Sequence, residues 1–259
     1  MSAMITLNIN IAEIAILLAI IVRLGIVLFM LPIFNSRNVS APVKALIVVS
    51  LSIMLFPTVR KVTPPLPFDP APLASLVISE LIFGVIFALS ILLLLSAFQL
   101  AGELIDFMIG FGFAQTAAPQ GQGRSSVLAS FAQLLAIMIF LSINGHLIVI
   151  RVLVESFKTI PVGSFALKAE IFTRMLRLSG LLFVLALKLA APILSVLMLT
   201  QVGLGLMAKF APQMNILATS FPLTITIGIL FFGMTMTLWG GLATQSFEHL
   251  FHFLHYFSR

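Results

Sequence analysis

The chain alternates long apolar runs with short polar breaks along most of its length. Six apolar segments stand out, at about residues 11–34, 43–57, 73–98, 127–150, 178–200 and 216–242. They are rich in Leu, Ile, Ala, Phe and Met, and none shows the alternation of apolar and polar residues that marks a half-buried strand. The pattern therefore predicts an all-α protein with about six apolar helical segments.

The length of each segment limits what it can do in a membrane. A helix needs about 20 apolar residues to cross roughly 30 Å of hydrocarbon. Residues 43–57 extend only about 22 Å as a helix, so we expect this segment to be one arm of a helical hairpin. The first apolar run has no basic region before it and no small-residue cleavage site after it, which predicts a structural helix instead of a cleaved signal.

The breaks between the segments carry helix-start and helix-stop residues. Ser40 is a candidate N-cap and Pro42 stands near the first helical position. Residues 63–72 contain five prolines, which predicts an extended linker. Residues 155–177 are the most charged stretch, and residues 210–215 form a second proline break.

Composition narrows the class of protein. The chain has 61% hydrophobic and 8% charged residues, whereas a soluble domain carries about 25% charged residues. We therefore expect an integral membrane protein, or a component of an apolar assembly. The net charge of +6 comes mainly from cations in short loops, a pattern typical of membrane-flanking residues. No Lys/Arg-rich arm is present, so no nucleic-acid partner is expected.

Several charges fall inside apolar runs: Glu13 and Arg23 in the first, Glu80 in the third and Lys188 in the fifth. A charge at the bilayer centre costs about 2.5–3.5 kcal/mol on the lowest scale. One interpretation is that Glu13 lies at the interface, while Arg23 and Lys188 snorkel or pair with a carboxylate. The other is that protein shields these helices from lipid, or that they line a wet cavity. The number of such charges, together with the short second segment, favours shielding.

The sequence offers little catalytic chemistry. Glu103 and Asp106 are three residues apart and share a helix face. They follow a break at Gly102, so favourable placement in a first helical turn explains them better than acid–base work or cation binding. His249, His252 and His255 lie three residues apart, which suits a tail helix at a membrane surface better than a metal site. The zero cysteines exclude disulfides and thiolate sites. With no catalytic motif present, we expect no enzyme activity, no metal and no cofactor.

The segment at residues 110–125, GFGFAQTAAPQGQGRS, is polar and glycine-rich but stands between two long apolar runs. Taken alone, these residues favour a loop that joins two spans.

Six stretches together carry a family resemblance. They are VRLGIVLFMLPIFNSRNVSAPVK, ELIFGVIFAL, AFQLAGELIDFMIGFGFAQ, FLSINGHLIVIRVLVESFKTIPVG, APILSVLMLTQVGLGLMAKFAPQMNI and SFPLTITIGI, in this order between about Arg23 and Gly241. In content and order the chain resembles the FliR/SctT family of type III export-gate membrane proteins. It departs from the family at Ala118-Pro119, where an Asp-Pro pair is frequent, so no role of that carboxylate is carried over to this chain.

The resemblance implies a non-enzymatic subunit built from helical hairpins that assemble into a cone-like export gate. It implies FliP-like and FliQ-like subunits and an FlhB-like subunit as partners, and unfolded flagellar proteins as exported substrates. Residues 1–125 would form a FliP-like half and residues 126–259 a FliQ-like half. The expected location is the flagellar basal body in the bacterial inner (cytoplasmic) membrane. In the assembled gate such subunits do not cross the bilayer in the ordinary way.

The resemblance also assigns roles to three sets of residues. The segment at 110–125 becomes a plug that helps to close the channel, with mobile glycines, water-excluding phenylalanines, and Arg124 anchored to a carboxylate for which Asp106 is the first candidate. Its members are Gly110, Phe111, Gly112, Phe113, Gln115, Pro119, Gln120, Gly121, Gln122 and Gly123. The charges expected to be buried in the assembly are Arg23, Glu80, Glu103, Asp106 and Lys188. The family motif positions are Pro32, Gly145, His146, Pro161, Pro192, Gly203, Gly205, Pro212, Gln213, Asn215, Phe221 and Pro222.

Three alternatives remain open. One is an injectisome export-gate subunit of the SctT type. Another is a secondary transporter for a small solute, suggested by intramembrane charges and Pro/Gly-broken helices. A membrane enzyme acting on lipid would need a convergent catalytic set, for which only Glu103 and Asp106 are available.

Overall fold

The computed structural model describes residues 11–32, 40–63, 70–110, 126–167, 169–211, 213 and 216–257. Within these ranges the protein is all-α, as predicted. The helices are α1 (Ile11–Met30), α2 (Ala41–Arg60), α3 (Pro70–Ile109), α4 (Val127–Ser142), α5 (Gly145–Thr159), α6 (Ala169–Phe210) and α7 (Ile216–Phe257).

The chain forms two compact units that interleave in sequence. The first comprises residues 1–92, 146–174 and 250–259, and the second comprises residues 93–145 and 175–249. The predicted halves at 1–125 and 126–259 rest on the resemblance to two partner types, and that division stays a prediction.

Helices α1 and α2 pack as an antiparallel hairpin in the first unit. Arg60, at the end of α2, contacts Glu13 in the first turn of α1, with 2.6 Å between Nη2 and Oε1. Ser40 precedes α2 as predicted, and Pro42 lies in its first turn. The hairpin prediction is confirmed, but the predicted length was wrong. The helix has 20 residues, about 30 Å, because it continues through Pro57 and the polar residues up to Arg60.

Other helices also extend beyond their apolar segments. Helix α3 has 40 residues and runs through Gly102, while α6 and α7 have 42 residues each. The predicted segment 127–150 is instead two helices, α4 and α5, with a break of two residues between them. The break contains Asn144, which has a positive φ of 56°, a conformation that Asn tolerates better than most residues.

Aromatic side chains form the centre of the second unit. The Trp239 indole of α7 packs edge-to-face against Phe98 of α3 and Phe232 of α7. Its Nε1 donates to the Leu189 carbonyl at 3.2 Å, which satisfies the one polar atom of a buried ring. Phe247 stacks on Phe98. These contacts join α3, α6 and α7 around one apolar core.

Two glycines allow helices of the second unit to approach closely. A Cβ at Gly102 of α3 would lie 2.6 Å from the Ala129 Cα and 2.8 Å from the Leu128 carbonyl oxygen of α4. A Cβ at Gly228 of α7 would lie 2.4 Å from Cδ1 of Ile109. At Gly102 the obstacle is backbone, which cannot rotate away. The sequence pattern predicted a helix break at this glycine. In the structure it lies inside a continuous helix, where its lack of a side chain lets α4 pack closely.

Five helices in the described ranges are long and apolar enough to cross a membrane: α1, α2, α3, α6 and α7. The bent pair of α4 and α5 would count as a sixth if it served as one span. This agrees with the predicted apolar, membrane-embedded character of the chain.

We expect Gly102→Ala to lower the melting temperature of the purified chain in detergent, because the new methyl group would push α3 away from α4. Gly180→Ala in α6 is the matched control, since no atom lies within 4 Å of a Cβ there. Alanine is favoured over glycine inside a helix by about 1 kcal/mol, so the control should melt at the same or a higher temperature. Equal behaviour of the two variants would contradict the proposed packing role.

Candidate functional site

Two of the charges found in apolar runs form an ion pair inside the first unit. Nη2 of Arg23 in α1 donates to Oε1 of Glu80 in α3 at 2.9 Å, and Nε donates to Oε2. Both side chains are fully buried. A guanidinium and a carboxylate matched at two points make the strongest geometry for such a pair. Arg23 thus pairs with a carboxylate and is shielded by protein of its own chain, which combines features of both interpretations.

The remaining polar atoms of the pair are also satisfied. Arg23 Nη1 donates to Ser156 Oγ at 3.1 Å, and both terminal nitrogens lie 3.4 Å from the Ile160 carbonyl oxygen. The Ser156 hydroxyl donates onward to the Leu153 carbonyl at 2.6 Å. Glu80 Oε1 accepts a further hydrogen bond from the Gly163 N–H at 2.9 Å. The pair therefore ties α1 and α3 to α5 and to the turn that follows it.

Aromatic rings close the two faces of the guanidinium. Its central carbon lies 4.4 Å from the centroid of Phe83 and 4.2 Å from that of Phe157. Both rings are buried, where a cation–π contact is worth about 2 kcal/mol. With its hydrogen-bonding edge and both faces occupied, Arg23 is left with no group to offer a ligand. The arrangement suits a structural contact that holds α1, α3 and α5 together better than it suits a binding or catalytic site.

The turn at Pro161 and Gly163 brings the last donor to Glu80. Gly163 has φ +77°, a left-handed conformation that favours glycine. The Ser164 N–H donates to the Pro161 carbonyl at 3.1 Å and closes the turn. Pro161 is one of the family motif positions, and here it stands beside the residue that completes the buried pair.

Glu103 and Asp106 lie in the last two turns of α3, because the helix continues through Gly102. The predicted first-turn placement was therefore wrong, and the helix dipole does not favour carboxylates at this end. Glu103 is exposed and accepts from Gln99 Nε2 at 3.0 Å. Asp106 is buried beside the Ser126 side chain, and its Oδ1 has no partner in the described part of the chain.

Lys188 lies near the middle of α6 with its side chain exposed, in the same row of the helix as Val184 and Pro192. No acidic side chain of the described residues pairs with it. In the isolated chain, then, Glu103 and Lys188 are not buried, whereas Arg23, Glu80 and Asp106 are. The part of these five charges in assembly stays a prediction.

The histidines of α7 are exposed at positions 249, 252 and 255. His255 Nε2 lies 3.4 Å from Glu155 Oε2, and its Nδ1 lies 3.2 Å from the Phe251 carbonyl oxygen. Among the described residues no group of three His, Cys, Asp or Glu side chains could hold a metal ion. The three histidines form the exposed end of a long helix.

The described structure stops at Gly110, the first residue of the glycine-rich segment, and resumes at Ser126, just after it. Helix α3 ends just before Gly110. This glycine has φ +96°, and its N–H donates to the Asp106 carbonyl at 3.2 Å, a common way for a helix to end. The Ser126 side chain caps α4 by accepting from the Ala129 N–H at 3.0 Å. The other predicted plug residues lie outside the described residues: Phe111, Gly112, Phe113, Gln115, Pro119, Gln120, Gly121, Gln122 and Gly123. Arg124, the predicted anchor, also lies outside them.

Helix α7 holds the end of α3 in place just before this segment. Thr224 Oγ1 donates to the Ile109 carbonyl at 3.0 Å. A Cβ at Gly110 would lie 3.1 Å from the ring of Phe221, so the last turn of α3 packs closely on α7. The residue before the glycine-rich segment is thus firmly placed.

The other family motif positions fall at bends, helix starts and helix interiors. Gly145 begins α5, and a Cβ there would lie 2.5 Å from the Phe140 ring. His146 follows it, with an Nδ1 that lacks a partner among the described residues. Pro32 lies in the turn after α1, Pro192, Gly203 and Gly205 lie in α6, Gln213 lies in the turn before α7, and Pro222 lies in α7. Pro212 and Asn215 lie outside the described residues.

Sequence reasoning missed three residues on which these arrangements depend. Ser156 and Gly163 complete the Arg23–Glu80 pair, and Trp239 organises the second unit. A single tryptophan inside an apolar run was a usable signal for the last. Nothing in one sequence connects Ser156 with Arg23, because the two residues are 133 positions apart.

Comparison with known proteins gives a consistent result. Residues 14–250 match the family described as "Bacterial export proteins, family 1". The chain is 34% identical over 228 residues to the flagellar biosynthetic protein FliR of Pectobacterium carotovorum, covering 86% of this chain and 85% of the other. It is 31% identical to the protein of the same name from Escherichia coli K12, with the same coverage. The Bacillus subtilis protein of that name is 27% identical over 85% of this chain and 86% of its own length.

We expect Arg23→Ala and Glu80→Ala each to destabilise the folded chain by about 3–5 kcal/mol, because each leaves one buried charge unpaired. The double variant Arg23→Met with Glu80→Leu should cost less than either single change, since apolar residues of similar volume replace the pair. Unfolding of the purified chain in detergent measures the differences.

The pair between Arg60 and Glu13 supplies the control. The Arg60 side chain is 58% exposed and the Glu13 side chain 14%. Water reaches this pair, so breaking it costs less than breaking a fully buried pair. Arg60→Ala should therefore have a smaller effect than Arg23→Ala. If Arg23→Ala destabilised the folded chain as little as Arg60→Ala does, the buried pair would not have the structural role described above.

Proposed function

Since the chain belongs to the bacterial export proteins of family 1, as a member of the FliR type, we propose that it is a non-enzymatic core subunit of the flagellar type III protein export gate. The observation that carries the proposal is the match over residues 14–250, which covers the second compact unit and most of the first. Each of the three relatives above is named for flagellar biosynthesis, which favours the flagellum over the injectisome.

The expected setting is the bacterial inner membrane, within the flagellar basal body. Five helices of sufficient length and apolar character support a membrane setting. Helices α2 and α6 expose many large apolar side chains, so the isolated chain leaves much of its apolar surface to be covered by its surroundings. That surface suits a subunit that is completed by neighbours.

The neighbours we propose are FliP-like and FliQ-like subunits, with an FlhB-like subunit associated with them. The exported substrates would be unfolded flagellar proteins that pass through a channel shared by all of these chains. The role of this chain is to help form that channel and to close it. Energy for transport is expected from other parts of the apparatus, because this sequence contains no nucleotide-binding motif.

Closure is assigned to residues 110–125. The support is chemical: four glycines allow backbone rearrangement, and Phe111 and Phe113 can exclude water from a narrow passage. The residues on either side are held, since Ile109 is bonded to Thr224 and Ser126 caps α4. We infer that a segment with these glycines, joined to two held ends, would be able to move aside and return to the same place.

The size of the substrate explains why the seal has to be movable. A helical chain with its side chains is about 10–12 Å across. A passage of that width would let ions and protons through if it stayed open. The closed state therefore has to be a tight plug, and selection among small ions is not required of it.

The proposal predicts that the chain, purified from native membranes in mild detergent, arrives in one large complex with the two types of small hydrophobic subunit. Their masses, measured for the intact complex, identify them. A solitary chain surrounded by detergent and lipid alone would contradict the function proposed here.

The sealing role has its own test. Deletion of Gly110–Gly123 should leave the complex assembled but increase the ion conductance of the membrane, because the stopper is lost. The double change Phe111→Ser with Phe113→Ser keeps the chain length and should also increase the ion conductance of the membrane. Co-purification of the subunits controls for assembly, and an assembled complex with an unchanged, tight membrane would overturn the plug.

A further inference from the structure

Helix α6 carries an exposed apolar surface that is longer than a bilayer is thick. On the side of the helix that carries Lys188, this surface runs from Leu181 to Phe210, with large apolar side chains exposed at both ends and between them. The distance between these two residues is about 44 Å at 1.5 Å per residue. The hydrocarbon core is about 30 Å thick, and a helix tilted by 40° would place only about 39 Å in it. Lipid tails therefore cannot cover the whole surface.

Lys188 stands in this surface. Leu181, Val184, Leu199 and Val202 lie within about 40° of Lys188 around the helix axis, and all four are exposed. We call these five residues the Lys188 face. Between Arg177 and Lys209, Lys188 is the sole charged residue of the sequence. It makes no hydrogen bond or ion pair with the described residues.

Neither position of a bilayer along α6 suits this face. If hydrocarbon surrounds Lys188, an ammonium group lies in lipid without a counter-charge. If the bilayer is shifted towards Phe210, so that Lys188 reaches the headgroups, then Leu181 and Val184 face water. A second protein that covers the stretch from Leu181 to Lys188 removes both problems at once.

We infer that this stretch of α6 docks against an apolar helix of another chain, and that this helix presents an Asp or Glu carboxylate to Lys188. The apolar neighbours of Lys188 require an apolar partner surface. The unpaired ammonium requires one acidic group within it, because a buried charge is tolerated only when it is paired. The inference rests on the proposed function, since it takes the partner to be a subunit of the same export assembly.

The substitution Lys188→Leu separates a protein neighbour from a lipid neighbour, because the two give opposite results. Against a carboxylate, leucine leaves the partner's charge buried and unpaired. We expect at least tenfold less partner subunit to co-purify, while Lys188→Arg keeps at least half. Against lipid, leucine is more favourable than lysine, and the complex would be recovered at an equal or higher level. That result would overturn the inference.

Lys209→Leu is the matched control, because Lys209 is also an exposed lysine of α6 but lies at the end of the helix. It should leave co-purification unchanged. Lys188 has no partner within its own described chain, so Lys188→Leu should leave the amount and the melting temperature of the purified chain unchanged. Loss of partner from a normally folded chain is the supporting result.

A second measurement does not depend on changing Lys188. A photo-reactive benzoylphenylalanine in place of Val184, one turn before Lys188, should form an adduct with a subunit that co-purifies with the wild-type chain. Adducts with lipid alone, from a wild-type complex that is intact, would overturn the docking site and leave the proposed function standing. Absence of the complex in the wild type would instead remove the proposed function and the inference with it.

Discussion

The ion pair between Arg23 and Glu80 can exist in an apolar interior only while every polar atom of it is matched. Transfer of one charge out of water costs several kcal/mol even after relaxation, and a guanidinium–carboxylate contact alone offsets this incompletely. Here the Ser156 hydroxyl, the Ile160 carbonyl and the Gly163 N–H supply the remaining bonds. The course of the chain from α5 into the turn is thus constrained by the hydrogen bonds that Glu80 and Arg23 need. Helix α1 cannot shift along α3 without breaking these hydrogen bonds.

A charge in apolar surroundings also needs a partner on the outer surface of the chain, but there the described residues do not supply one. Lys188 stands in a long apolar face of α6, with no acidic partner among the described residues. Helix α2 likewise buries only Val48, Ser52 and Val59, and leaves the rest of its length half-exposed or exposed. Inside the first unit, the charges of Arg23 and Glu80 are enclosed and hydrogen-bonded to each other and to their neighbours. On the outside, apolar surface and Lys188 are left uncovered by the described chain, and this is the surface that the neighbours proposed above would cover.

Hydropathy in the sequence predicted the helical class, the hairpin of α1 and α2, and the break at residues 210–215. It could not predict helix length, because a helix continues wherever backbone bonds and packing allow. Helix α3 continues through Gln99 and Glu103 on an exposed side, and through Gly102 where α4 needs space. Pairing was also out of reach. Arg23 and Glu80 are 57 positions apart, and a single sequence indicates only that each charge needs some partner.

The placement of charges also bears on the alternative of a small-solute transporter. Such a protein needs polar groups that converge on a cavity near the middle of the bilayer and remain free to bind solute. In the described structure, Arg23 and Glu80 occupy each other, and both faces of the guanidinium are covered by Phe83 and Phe157. Glu103 and Lys188 face outward. Of the five charges considered, Asp106 is the one that retains an unpaired buried oxygen, and it lies beside Ser126, where the glycine-rich segment rejoins the helices. A carboxylate in that place suits the anchoring role proposed for the glycine-rich segment better than the selection of a solute.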